Sequence, residues 1–535
     1  MENKLFWWIF SKRTVICFTV MLLLFLSCIL RVAVTATSDY GEICKERNSY
    51  KINMGKVRGT IYDCNMVPIT NNIKKTIAAV SPTSKAIKAI KTVLSEEEFK
   101  KYYPELKKGM PIICEIKKDI KCDGITTTNI YENSNSQTPA IHIIGYTDNE
   151  NKGISGIQYA YDDILYSENE IKAYFESDGL GNILEGTNPI VENYTNVIAS
   201  GVVTTIDINI QNIAQKAALN IDRGAIVIAD AKSGKIRASV SMPYFNSEKI
   251  AEYLNKEDSP LLNRAINAYN VGSVFKPCVA IAGLENSVAN FYYFCTGRVK
   301  IADRYFKCHK ADGHKFMTLN TALANSCNTF FYNYAEKIGG DNIYNIASAL
   351  NFGNNFNICK DITVNGGTIP DKELLNNKGH LANFSIGQGK VTLSPISMLT
   401  LYCSIASDGA YYLPSVVEGT LINGKLEEYD NGKRTRVMSE TTSKIIRNYL
   451  NSVIEIGTGE DAKPSKVTAG GKTATAQTGI FKNGEEISQG WFCGFFPLEK
   501  PEYVVIIFSE DIKAQSKTCN QLFSYIADEI TSISK

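Results

Sequence analysis

The sequence predicts a multidomain α+β protein. The expected parts are a membrane anchor, an elongated, loop-rich pedestal and a larger C-terminal domain of helices packed on an antiparallel sheet. Three observations carry that expectation. An uncharged run, residues 14–30, follows Lys4, Lys12 and Arg13. From Thr35 to about residue 200 the chain is polar, with only short apolar pieces. Beyond Gly201 the apolar segments lengthen, strand-like near both ends of this part and helical in period between them. The length agrees, since single cores stop growing at about 250–300 residues and this chain has 535. A formal net charge of +2 argues against a nucleic-acid binder.

Residues 14–30, continued past Arg31 by Val32-Ala33-Val34, lie near the short limit of the about 17–25 apolar residues that span a bilayer. The basic residues before the run put the N-terminus in the cytoplasm and the rest outside. A signal peptide cleaved after Val34-Thr35-Ala36 is the alternative, and Arg31 sits badly for it. The expected parts are a tail at 1–13, a transmembrane helix at 14–34, a pedestal at 35–200 and a catalytic domain at 201–535. The fourteen cysteines are scattered. Cys17 and Cys28 lie in the membrane run and Cys278, Cys403 and Cys493 in apolar stretches, so no general disulfide framework follows.

In the pedestal, residues 35–51 read as a linker and Arg58-Gly59-Thr60-Ile61-Tyr62-Asp63-Cys64-Asn65 as a strand entering a turn. Ser95 and Glu98 are spaced as a capping box. Residues 140–146 read as a strand in which His142 is structural, and residues 153–158 as a glycine-punctuated turn before a helix. Further on, Ile210, Ile213, Ala214 and Ala217 recur at helical spacing. Residues 225–229 and 236–240 flank Lys232-Ser233-Gly234 as a hairpin. Residues 490–495 and 503–508 read as strands. Cys519, Leu522, Phe523, Ile526, Ala527 and Ile530 mark one face of a final helix.

The chemistry is expected around Asn270-Val271-Gly272-Ser273-Val274-Phe275-Lys276-Pro277. One helical turn separates Ser273 from Lys276, so they share a face, and Pro277 is tolerated near a helix start. A serine needs a base to become a nucleophile, and a neutral lysine can serve. Ser-x-x-Lys alone is a weak signal. It is followed in order by Ser326-Cys327-Asn328 and by Gly471-Lys472-Thr473-Ala474-Thr475, a succession similar to that of penicillin-binding proteins and serine β-lactamases.

With Arg58 to Asp63, His142-Ile143-Ile144-Gly145-Tyr146, Asn263-Arg264-Ala265, Ile386-Gly387-Gln388-Gly389, Gly457-Thr458-Gly459 and Trp491-Phe492-Cys493-Gly494, the chain from about residue 55 to 535 resembles a class B penicillin-binding protein. The resemblance implies a peptidoglycan D,D-transpeptidase with an antiparallel five-stranded sheet flanked by helices. Ser273 would attack the penultimate D-Ala of a stem peptide ending in D-Ala-D-Ala, with Lys276 as base. Ser326 would relay a proton and Asn328 would hold the substrate amide. Lys472 would supply positive charge and Thr473 would bind the substrate carboxylate. The N–H groups of Ser273 and Thr475 would form the oxyanion hole. β-Lactams would acylate Ser273. The implied setting is the cell membrane with the catalytic domain outside, beside a glycan polymerase of the shape, elongation, division and sporulation type.

Two departures stand out: Ala474 replaces the family's glycine, which narrows the site by a methyl, and Gln158 stands where glutamate is usual. A β-lactamase and a catalytically idle scaffold of a cell-wall complex are the alternatives. The chemistry requires no cofactor. Cys295, Cys308, Asp312 and His314, however, make a plausible tetrahedral zinc set, with a Cys295–Cys308 disulfide or free thiols as alternatives.

Overall fold

The computed structural model describes residues 2–37, 49–132, 138–167, 170–192, 200–482, 485–510 and 516–534. The expected linker therefore falls mostly outside the described residues. Helix α1 (Glu2–Thr37) contains a stretch, Trp7–Ala36, long and apolar enough to cross a membrane. It outruns the expected 14–34 because Trp7, Trp8, Ile9 and Phe10 extend the apolar surface upstream. The Lys12 ammonium folds back over the Trp8 ring, 3.5 Å from its centre.

The remainder divides into two compact units. The smaller takes residues 1–56, 74–131 and 168–194. In it, Ser49–Lys56 pairs antiparallel with Glu170–Glu176. A second, three-stranded sheet of Ile73–Val80, Ile112–Ile116 and Ile125–Glu132 is covered by helices Ser84–Lys91 and Glu96–Lys107 over a core including Val80, Ile90, Leu106 and Ile112. The Ser95–Glu98 capping box forms as the spacing predicts: Glu98 N–H donates to Ser95 Oγ, and Ser95 N–H to Glu98 Oε2.

The larger unit takes residues 57–73, 132–167 and 195–535, so two segments from upstream of residue 200 belong to it. Buried Arg58 ties them together. It donates to Gln158 Oε1 at 2.7 Å and pairs with Asp162 at 2.8 Å. Asp162 thus supplies the negative charge that Gln158 lacks. The strand expected at 140–146 is instead a helical turn, Ile141–Ile144. Tertiary packing overrides the β-branched run here: the turn buries Ile141, Ile143 and Ile144, and Gly145 at φ +80 passes where a Cβ would strike Ser155 O. His142 is structural, its Nε2 2.7 Å from Pro260 O.

The sheet consists of β1 (Gly224–Asp230), β2 (Ile236–Met242), β3 (Gly470–Lys482), β4 (Glu485–Phe496) and β5 (Tyr503–Ser509). It is antiparallel throughout, in the order β2-β1-β5-β4-β3. The helices that bear on the site are α2 (Ile208–Ala218), α3 (Lys276–Glu285), α4 (Leu319–Ala324), α5 (Asn328–Ile338), α6 (Pro395–Ala406), α7 (Glu440–Ile456) and α8 (Ser516–Ile533). Side chains alternate across a strand. Ile226, Ile228, Val505 and Ile507 meet α2 and α8 on one face. Ala225, Val227, Val504 and Ile506 join the core containing α3 and α6 on the other. Both faces being covered, the central strands are continuously apolar. Strand β3 forms an edge of this sheet.

Candidate active site at the sheet edge

Gly272 enables the turn that carries the candidate nucleophile. Its φ of +60 suits glycine, and a Cβ there would lie 3.2 Å from Ala476 Cβ and 3.5 Å from Ala474 Cβ on β3. Ser273 follows, half-buried, in a 3-10 turn over Gly272–Phe275. The α-helix α3 begins only at Lys276, one turn later than the spacing suggested, and Lys276 N–H donates to Ser273 O. The turn is clipped on both sides. Gly272 N–H donates to Gly387 O at 2.9 Å. On β4, Gln489 Oε1 accepts from Asn270 N–H and Trp491 Nε1–H donates to Asn270 O.

Lys276 is fully buried and donates to Ser326 O at 2.8 Å, Ser326 Oγ at 3.0 Å and Asn328 Oδ1 at 2.7 Å. Burial lowers its pKa to about 7, because an ammonium withdrawn from water loses hydration that the neutral amine does not need. Lys472, also fully buried, donates to Thr473 O at 3.1 Å. Burial and then repulsion from Lys276 hold it well below an ordinary lysine. The structure therefore brings Lys276, Ser326 and Asn328 into direct contact, with Lys472 close enough to feel the same charge.

Ser326 sits in left-handed backbone at φ 51 between α4 and α5. This conformation is uncommon for a residue with a Cβ and concentrates at functional sites. It turns the chain so that Cys327 caps α5 and Asn328 opens it. Thr458 completes the frame, its hydroxyl 3.0 Å from that of Thr473 and its N–H donating to Ala324 O. In the sequence Thr458 stands out only within the Gly457-Thr458-Gly459 resemblance. Ala474 is buried on the same side of β3 as Lys472 and Ala476, facing Gly272, while Thr475 is exposed. Among the described residues β3 has a strand partner on one side only, and an edge of this kind suits pairing with an extended ligand.

Beside this site, Cys295, Cys308, His314 and Cys327 bring one ligand atom each within 4.8 Å of all the others. His314 Nδ1 is 3.7 Å from Cys295 Sγ and 3.5 Å from Cys308 Sγ, and Cys308 Sγ is 4.0 Å from Cys327 Sγ. Zinc–sulfur bonds of about 2.3 Å in a tetrahedron put donors roughly 3.8 Å apart, so the set fits zinc. Asp312 does not belong to it. Asp312 is exposed on the turn before His314, and Cys327 supplies the fourth donor. Cys295 and Cys308 are free thiols rather than a disulfide. The signal that could have found Cys327 is its identity as the middle residue of Ser326-Cys327-Asn328.

The chain is similar to several known proteins. The penicillin binding protein transpeptidase domain matches residues 224–528. Stage V sporulation protein D of Bacillus subtilis is 27% identical over 506 residues, 89% of this chain and 74% of that protein. Peptidoglycan D,D-transpeptidase MrdA of Acinetobacter baumannii is 26% identical over 425 residues, covering 69% of this chain and 62% of its own length. The chain thus spans less than two thirds of that second relative. A D,D-transpeptidase domain structure from Eggerthella lenta superimposes with a TM-score of 0.65 at 22% identity, over 90% of this chain and 99% of that one. Pseudomonas aeruginosa PBP2 gives 0.63 at 20%, over 90% and 96%. With the transpeptidase-domain match spanning more than half of the chain, and Ser273-x-x-Lys276, Ser326-x-Asn328 and Lys472-Thr473-Ala474 following in order, the chain belongs to the class B penicillin-binding proteins.

Proposed function

We propose that the chain is a membrane-anchored serine D,D-transpeptidase that crosslinks peptidoglycan stem peptides. The observation that carries this reading is Lys276, buried, poised near pH 7 and hydrogen-bonded to both Ser326 and Asn328. Ser273 Oγ attacks the carbonyl of the penultimate D-Ala as its proton passes to neutral Lys276. The C–N bond to the terminal D-Ala then breaks, and a proton returned through Ser326 leaves with that amine. An ester to Ser273 remains. The amine of a second stem attacks it, gives its proton back through the same groups and restores the hydroxyl. Asn328 holds the donor's side amide, and Lys472 with Thr473 takes the substrate carboxylate. Backbone N–H groups of Ser273 and Thr475 receive the developing oxyanion, each donor contributing about 3–4 kcal/mol by analogy with characterised hydrolases.

Intact-protein mass spectrometry after benzylpenicillin tests the reading. A stable single adduct that disappears in Ser273→Ala is expected. Rapid release of the adduct favours a β-lactamase, and no adduct favours an idle scaffold. We also propose that the N-terminus is cytoplasmic and the catalytic unit outside, since Lys4, Lys12 and Arg13 precede the apolar stretch, and that the unit acts beside a membrane glycan polymerase of the shape, elongation, division and sporulation type.

We further propose that Cys295, Cys308, His314 and Cys327 hold a structural zinc ion. When bound, it supplies a cross-link between the chain before α4 and the residue separating Ser326 from Asn328. The donor set supports this, three thiols and an imidazole at tetrahedral spacing. Elemental analysis of protein purified without added metal is expected to find close to one zinc per chain. Activity and stability retained in strong chelator overturn a structural role.

A further inference from the structure

Between α3 and α4 the chain forms two small ribbons, packed on the core by Cys295, Cys308 and Met317. Tyr293–Cys295 pairs with Lys315–Met317, and Arg298–Ile301 pairs with Arg304–Lys307. On the first ribbon the inward position is Cys295, fully buried, whereas Tyr292, Phe294 and Phe316 point outward and are 58–61% exposed. Phe294 stands across the ladder from Phe316, and the rings of Tyr292 and Phe316 stack at 5.7 Å with 18° between their planes. On the second ribbon Tyr305 is 61% exposed under the guanidinium of Arg298, 5.1 Å from the ring centre.

Single exposed aromatics are ordinary; several sharing one small surface mark a contact site. The surface there is also basic. Six exposed Lys and Arg residues lie between 298 and 315, against two carboxylates, in a chain whose whole net charge is +2.

Flat rings accept ligands with broad C–H faces, such as pyranose sugars, and unneutralised cations accept carboxylates. The outward large apolar residues of this lobe are all aromatic, which fits a sugar better than a lipid tail or a greasy protein helix. The lobe also borders the cleft: its Cys295, Cys308 and His314 converge on Cys327, between Ser326 and Asn328. A stem peptide of about five residues reaches at most about 17 Å when extended, so the glycan carrying a stem bound at Ser273 must pass over nearby surface.

We propose that this lobe binds the glycan strand itself, an amino-sugar polymer bearing lactyl and peptide carboxylates, and so presents its stems to the cleft. The proposal rests on the transpeptidase reading for its substrate. Binding is measured with the full-length protein in detergent and soluble linear glycan strands stripped of peptides by an amidase, which leaves the lactyl carboxylates. Tyr292→Ser/Phe294→Ser/Phe316→Ser is expected to weaken binding at least tenfold while acylation by benzylpenicillin stays within about twofold. Arg298→Glu/Arg304→Glu, which leaves the ring platform intact, should do the same and keeps the test valid if the triple variant misfolds. Equal binding by wild type and both variants overturns the proposal. So does wild-type binding confined to strands that retain peptides, or to anionic phospholipid vesicles alone. Strand binding is read without any acylation, so an unreactive wild type would sink the transpeptidase reading while leaving this one measured.

Discussion

At the scale of single residues, two buried lysines carry the proposed chemistry. A buried ammonium is costly and sheds its proton more readily than one in water. The neutral fraction of Lys276 therefore rises through about pH 7 rather than near the ordinary lysine value. Benzylpenicillin acylation rates should climb with pH and reach half their plateau near pH 7; a half-maximum above pH 9 would remove Lys276 as the base. Ala474 makes a second, smaller prediction. Its methyl is buried facing Gly272 rather than open to solvent, so Ala474→Gly should alter acylation by less than about threefold. Calorimetry should nevertheless find it about 0.5–1 kcal/mol less stable, the usual cost of glycine within a strand. The one-turn spacing of Ser273 and Lys276 is legible in the sequence, and in the fold Lys276 N–H donates to Ser273 O across a 3-10 turn. Cys327 is not legible in this way, because the fourth thiol reaches its partners only through the path of the chain into α5. Asp312 is close to the cluster in sequence, which says little about a turn that leaves it in solvent.

At the scale of elements, the site is a junction between an edge strand and two helix starts, and its tolerances are small. Gly272→Ala should place a methyl 3.2 Å from Ala476 Cβ in left-handed backbone. The expected loss is about 1–3 kcal/mol, with acylation falling as the turn shifts; a melting curve superimposing on wild type would show that the turn is not held against β3. The proposed zinc cluster makes a similar demand on Ser326. Cys308→Ser should lower both zinc content and acylation rate, since the left-handed residue beside Cys327 loses its anchor. Elements whose apolar period follows their burial, such as α2, α8 and the β1–β2 hairpin, could be read directly. Ile141–Ile144 could not, because its β-branched residues suit a strand and only packing around Gly145 and Gly156 turns them into a helix.

At the scale of the molecule, the two compact units alternate along the chain. Residues 57–73 and 132–167 pack with the transpeptidase fold, and the smaller unit is built from the chain between and around them. The sequence carried the motifs of these segments but not their destination, since Arg58 meets Gln158 and Asp162 across a long separation. Penicillin reactivity should therefore depend on residues 57–73 and not on α1. Every catalytic candidate, and the cores around them, lies in the larger unit, whereas α1 is exposed along its apolar stretch. Deleting residues 1–37 should move the protein from the membrane fraction to the soluble fraction and leave the benzylpenicillin acylation rate within about twofold. Arg58→Ala in the full chain should do the opposite, keeping the protein in the membrane while losing stability, because Asp162 is left without its buried cation. Losing one member of such a pair typically costs about 3–5 kcal/mol. If the truncated protein failed to react although folded, α1 would have to act on the site itself, and the separation of anchoring from chemistry would not hold.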